Sequence, residues 1–223
     1  MAEDLQSYFS EVRLGPFRKG MVLADRHFDR TVFRSTQGAL KTKGPHRVRD
    51  VHFERCEVEV GPFWLGEGYE LENVHFEKLK VWRFMFDNRT KMKNVRVSSL
   101  AKANRFEIQP GLTSEKEKDR QIDDPEFSLD VSGYQGDLQI WGVRADGVTI
   151  NSEKQIRLRH PTRERHLGQV IGLTEHGLWS IALDQIVGRR VRDAVLSLPK
   201  PKDRDYADQM RDIELLRSEG IAF

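Results

Sequence analysis

A single cysteine, Cys56, stands in 223 residues, so no internal disulfide can form and the chain reads as one kept in a reducing compartment. No stretch approaches the roughly 18 consecutive apolar residues of a membrane-spanning helix. The opening MAEDLQSYFSEVRLG carries acid among its first residues and has no apolar centre, which predicts the absence of a secretory leader. Charge of one sign is scarce as well. The 37 basic and 35 acidic side chains leave a formal +2, too little for a global field that would draw the chain to nucleic acid or an anionic membrane. Catalytic signatures are also lacking: there is no G-x-S-x-G, no P-loop and no H-E-x-x-H, and the S-x-x-K spacing of SLAK from Ser99 is too short a word to carry weight. These absences predict a cytoplasmic protein that is not an enzyme, needs no cofactor and holds no resident metal.

What is present is a repeat. RDVHFERCEV from Arg49 and ENVHFEKLKV from Glu72 are nearly the same phrase, and KNVRVSSLAK from Lys93 continues it. Val51, Val74 and Val95 fall in one column, Phe53, Phe76 and Val97 in a second, and Cys56, Leu79 and Leu100 in a third, at intervals of 23 and 21 residues. A fainter copy, RTVFRSTQG, puts Thr31, Phe33 and Thr36 some 20 residues upstream of the first. Units of this length are too small to bury their own apolar faces and stack into solenoids. Inside the long period runs a shorter beat of five residues: Tyr69/Leu71, Val74/Phe76, Leu79/Val81, Phe84/Phe86. Each pair is apolar, polar, apolar, the period of a short strand, and each is followed by a corner. A helix is excluded, because a five-residue beat drifts around a 3.6-residue spiral.

With Asp50-Val51, Asn73-Val74 and Asn94-Val95 as its recurring word, the stretch from about 28 to 106 resembles the right-handed parallel β-helices, and loosely the pentapeptide-repeat solenoids. That resemblance implies stacked parallel strands with Asx residues turning the corners; an antiparallel sandwich or jelly roll is the alternative. Residues 110 to 126 are almost wholly polar between prolines and read as an extruded loop. Leu138, Trp141, Val143 and Val148 then refit the columns, Trp141 standing 46 residues, two coils of 23, beyond Val95. The expectation is about five coils over residues 1–168, with winding to about Leu158, followed by a helical cap over 169–223. Its first helix runs on the three-four step of Trp179, Ala182, Leu183, Ile186, Val187, Val191, Ala194, Val195 and Leu198. The second spans about Asp203 to Ser218, with Gly220 to stop it. Two helices that bury little alone are suited to covering the open solenoid end.

Three groups of side chains offer chemistry. With valine and phenylalanine inward, His52, Glu54, His75 and Glu77 form a grid of nitrogen and oxygen donors on one outer face, either a metal site or a solvated surface neutralised by Arg55 and Lys78. RLRHPTRERH holds Arg157, Arg159, His160, Arg163, Arg165 and His166, and GRRVRD adds Arg189 and Arg190, a set suited to phosphate or nucleic acid unless it pairs with the acids at Asp119 to Asp124. Trp64, Trp82 and Trp141 are aromatic candidates for protein contact. Cys56, in an inward column, reads as a packed thiol. The chain is therefore expected to be a non-enzymatic protein-binding module of immunity, inhibitor or regulatory-adaptor type. A nucleic-acid or phosphate binder is the alternative, and a carbohydrate-active β-helix enzyme the third reading.

Overall fold

The computed structural model describes residues 22–33, 36–37, 41–59, 61–98, 105–110, 121–159, 170 and 172–223. Strands β1 (Val22–Asp29), β2 (Val32–Phe33) and β3 (Thr36–Gln37) begin a coil that is repeated by β4 (Lys41–Glu54), β5 (Glu57–Val58) and β6 (Phe63–Leu65). β7 (Glu67–Glu77) and β8 (Phe84–Asp87) form the next rung, then β9 (Lys91–Ser98) and β10 (Arg105–Gln109), then β11 (Leu129–Asp130) and β12 (Asp137–Trp141), and β13 (Val148–Thr149) adds a last short strand. One face is the parallel sheet β1-β4-β7-β9-β11-β13, a second contains β3, β6, β8, β10 and β12 in parallel, and the narrow third pairs β2 with β5 and Glu57 with Lys80. The protein is a parallel β-solenoid of about four turns. Val51 pairs with Val74 and Val74 with Val95, while Phe53 pairs with Phe76 and Phe76 with Val97, so the repeated phrases lie directly on one another.

The interior is a column of aromatic rings. Phe28 stacks on Phe53 at 5.2 Å and Phe53 on Phe76 at 5.0 Å, the second pair only 3° from parallel; Phe63, Phe84 and Phe86 meet the column edge-on or tilted from the second sheet, and Phe106 packs on Phe84 and Phe86. Each ring contributes on the order of 2–3 kcal/mol by burial. Cys56 is fully buried beside this column, its thiol donating to the Phe28 carbonyl, and burial raises its pKa.

The five-residue beat has a backbone cause. Asp25, Asp50, Asn73 and Asn94 have φ between 53° and 55°, and five residues further on Arg30, Arg55 and Lys78 have φ between 49° and 53°. A left-handed residue costs roughly 1–2 kcal/mol for most side chains and least for Asn and Asp. Here it turns the strand so that two successive side chains, such as Arg49 and Asp50, face out before Val51 faces in. The amides of Arg30, Arg55 and Lys78, so turned, donate to the carbonyls of Glu54, Glu77 and Ser98 on the next rung. The Asx side chains form a ladder: Asn73 Nδ2 donates to Asp50 Oδ1 and Asn94 Nδ2 to Asn73 Oδ1, both at 2.8 Å.

The structure corrects the sequence reading in four places. The first-coil copy is DRHFDR from Asp25, not RTVFRSTQG: Phe28 lies over Phe53, and Phe33 over Val58. Arg26 occupies the valine position there, which hides the match. The valine column continues through Leu129 and Val148, not Trp141, because Leu129 stands 34 residues beyond Val95, which breaks the fixed spacing. Parallel winding ends at Thr149; Gln155–Arg159, β14, runs antiparallel to its neighbour. Finally, the apolar run from Leu178 is not one helix. It divides into α1 (Leu178–Gly188), a turn with Arg190 at φ 56°, and β15 (Asp193–Ser197), which lies antiparallel between β12 and β14. A strand buried on both faces shows no alternation, so its spacing mimics the helical step. Val195 enters the solenoid core while Ala194 and Leu196 face the helices.

The solenoid end of the second sheet is thus closed by the antiparallel pair β15 and β14, whose far side meets Ile221–Phe223 through the Leu158–Ala222 bridge. The helices lie outside that sheet. The second, α2 (Tyr206–Ser218), is where expected, buries Ile213 and Leu216, and is followed by Gly220 at φ 68°. Of the expected loop 110–126, residues 111–120 lie outside the described residues, whereas Ile122 donates its amide to Gly142 and so joins the sheet edge.

Replacing Asn73 by Ala removes the ladder and forces a Cβ-bearing residue without a local hydrogen bond into the left-handed region, so about 2 kcal/mol of stability is expected to be lost. Asn73→Gly keeps the backbone freedom and is expected to fall between Ala and wild type in urea unfolding. A second expectation concerns pH. His46 is buried against Tyr69, and burial holds its imidazole below the ordinary 6.5. The native state then binds fewer protons than the unfolded one, so this contribution is whole above about pH 6.5 and is lost as the pH falls. His75, lowered mainly by burial, acts in the same direction. His46→Phe is expected to shrink the difference between urea midpoints measured at pH 7.5 and pH 5.

Candidate partner-binding site

α1 reads LWSIALDQIVG, and Trp179, Ala182, Leu183 and Ile186 at the three-four step place one face against Trp141, Ile156, Leu158 and Leu196 of the sheet. The helix has more apolar residues than that face can hold. Leu178 and Ile181, three residues apart and so adjacent on the helix surface, are 48% and 46% exposed. Beside them a groove runs between α1 and the outer side of β12, lined by Gln139, Trp141, Leu178, Ile181, Gln185 and Ser197 among others. Two of its indoles, Trp141 and Trp179, are buried, and their Nε1 donors find no acceptor among the described residues. A donor left so costs roughly 1–3 kcal/mol. The Trp141 ring carries the Arg189 guanidinium 5.3 Å from its centroid. The groove and its apolar rim suit a segment that brings an apolar side chain.

The tryptophans expected at the surface are placed differently from one another. Trp82 is 64% exposed on the third face, next to the Lys80–Glu57 ion pair; Trp64 is half-buried on the second sheet opposite Met85; Trp141 is 2% exposed and floors the groove. Arg157, Arg159 and Arg189 have partners within the chain. Arg157 donates to the carbonyls of Ala145 and Val148. Arg159 binds Asp193 at 3.1 Å and Asp146 at 2.8 Å and lies over the Phe223 ring. Arg159 in turn holds the Asp146 carboxyl below its ordinary range. Arg189 donates to Gln109 and Gln185, and Arg190 shapes the turn after α1. His160, Arg163, Arg165 and His166 lie outside the described residues. The acidic stretch does meet a guanidinium, through Asp123 and Arg192.

On the first sheet His52 pairs with His75 and Glu54 with Glu77, and the structure adds His27 and Asp29 as a third row. HFD at His27 was the visible signal for it, beside HFE at His52 and His75. The rest of this face is a charge ladder in which Glu70 bridges Arg47 and Lys91 at 3.0 Å each, hydrogen bonds that hold its carboxyl below the ordinary range. Exposed pairs of this kind contribute about 0–1 kcal/mol; along Arg47, Glu70 and Lys91 their main effect is that opposite charges alternate from rung to rung. Compared with protein-family models, with curated proteins and with solved structures, the chain finds no match in any of the three.

Asp193 anchors the site's frame, accepting from the Ala145 amide at 3.0 Å and from Arg159 while it begins β15. It is buried and Arg159 is partly exposed, so Asp193→Ala is expected to cost about 2 kcal/mol, below a fully buried pair. Thermal unfolding together with the near-ultraviolet circular dichroism of Trp141 and Trp179 checks this, since loosening of β15 alters the surroundings of both indoles.

Proposed function

We propose that this chain is a non-enzymatic protein-binding module, an inhibitor, immunity protein or regulatory adaptor working in the cytoplasm, and that its principal contact is the groove between α1 and β12. The observation that carries this reading is the adjacent pair of exposed apolar side chains, Leu178 and Ile181, at the rim of a groove floored by Trp141. Apolar side chains left exposed beside a groove are the kind of anchor that protein partners cover. The rigid solenoid supports the reading, because a preformed surface loses little entropy on association. Trp82 supplies a separate apolar anchor on the third face.

The test uses the full chain with a photoreactive benzophenone amino acid in place of Ile181, cross-linked in extracts of the native host. One protein in stoichiometric yield is expected, and Leu178→Asp with Trp82 intact should reduce its recovery at least about tenfold without lowering the melting temperature by more than a few degrees. Equal recovery with the Asp variant, or no cross-link at all, counts against the groove.

A further inference from the structure

We propose that the outer face of the first sheet holds a transition-metal ion, zinc being the best fit, between the first and second coils, with His27, His52 and Glu54 as ligands and Glu77 able to supply a fourth. This proposal is independent of the α1 groove and rests on a different face.

The parallel register puts like residues on like, so His27 lies opposite His52, and Glu54 sits two residues along, on the same outer face. The two imidazoles are stacked with centroids 4.9 Å apart and planes 7° from parallel. One donor atom each from His27, His52 and Glu54 lies within 4.8 Å of the others. One separation within the trio suits a shared ion, and another brings Glu77 up to His52. Zinc takes nitrogen and carboxylate oxygen at about 2.0–2.1 Å in a tetrahedron, which sets neighbouring donors about 3.3 Å apart. His27 Nε2 is 3.2 Å from Glu54 Oε2, and His52 Nε2 is 3.6 Å from Glu77 Oε2.

The carboxylates are oriented from behind. Glu54 Oε1 is held by Arg55 at 2.7 Å, and Arg55 is itself anchored on Asp29 at 2.9 Å; Glu77 Oε1 is held by Lys78 at 3.3 Å. Each acid therefore has one oxygen fixed by a neighbouring cation and the other turned toward an imidazole, the arrangement in which outer partners aim a metal ligand. The donor set of two nitrogens and one or two carboxylate oxygens, with no thiolate, suits zinc and the neighbouring divalent ions and not magnesium or calcium, which take oxygen alone. The column ends on the fourth rung, where Arg96 faces His75. That cation keeps the site at the first two coils. An ion there would join β1, the outermost strand of its sheet, to β4.

The experiment is isothermal titration of the metal-stripped full chain with zinc chloride at pH 7.5, with His27→Gln, His52→Gln and, as the control, His75→Gln. One equivalent is expected, with affinity lowered at least about tenfold by either ligand substitution and changed less than about threefold by the control. Zinc should also raise the melting temperature of the wild type but not of His27→Gln, since a ligand bound only by the native state stabilises it by mass action. In a parallel measurement on the unmodified chain, cobalt(II) should shift or broaden the ring resonances of His27 and His52 more than those of the other histidines. Absence of uptake, uptake equally strong in both ligand variants, or cobalt effects centred on other histidines would overturn the proposal.

Discussion

The structure depends on a backbone conformation that most residues avoid. In each of the first four rungs of the main sheet an Asp or Asn takes the left-handed region, and in the first three a basic residue does so again five positions later. Between them these positions set where valine and phenylalanine turn inward. Asx is favoured there because its short polar side chain tolerates the conformation and can bond to the same residue one rung away. Once two coils share this device, their remaining columns follow: phenylalanine over phenylalanine inside, histidine over histidine and acid over acid outside. The aromatic core and the exterior donor ladder are two consequences of one register.

That origin explains which parts were legible in the sequence. Val51, Val74 and Val95 could be aligned because each follows an Asx residue, and their pairing carried the fold class with it. The first coil was misaligned because Arg26 takes the valine position at an end rung, where a charged side chain still reaches solvent. Leu129 was invisible as the next member of the column, since it stands 34 residues beyond Val95 and no longer keeps the period. β15 was read as helix because both of its faces are covered, which erases the alternation that distinguishes a strand.

The candidate site was less legible, for a physical reason. Trp141 could be singled out by type, but whether an indole donor has an acceptor depends on residues far away in the chain. Leu178 and Ile181 lie off the three-four step of Trp179, Ala182, Leu183 and Ile186, and that they border a groove follows only from the packing of the helix on Trp141 and Leu196. Similarly, Arg157 and Arg159 looked like a basic patch until the strand pairing brought Asp193 and the Ala145 carbonyl to them. Density of one charge in a sequence reports supply, and the fold decides how much of it is spent internally.

Because β15 runs against the direction of the solenoid and Ile221–Phe223 covers the outer side of β14 in the antiparallel sense, that end of the second sheet presents no parallel template for a further rung. A longer relative of this protein could not arise by adding units there. Internal duplication of a whole stretch such as Asp50 to Glu72 would leave every column in phase and the reversed terminus undisturbed.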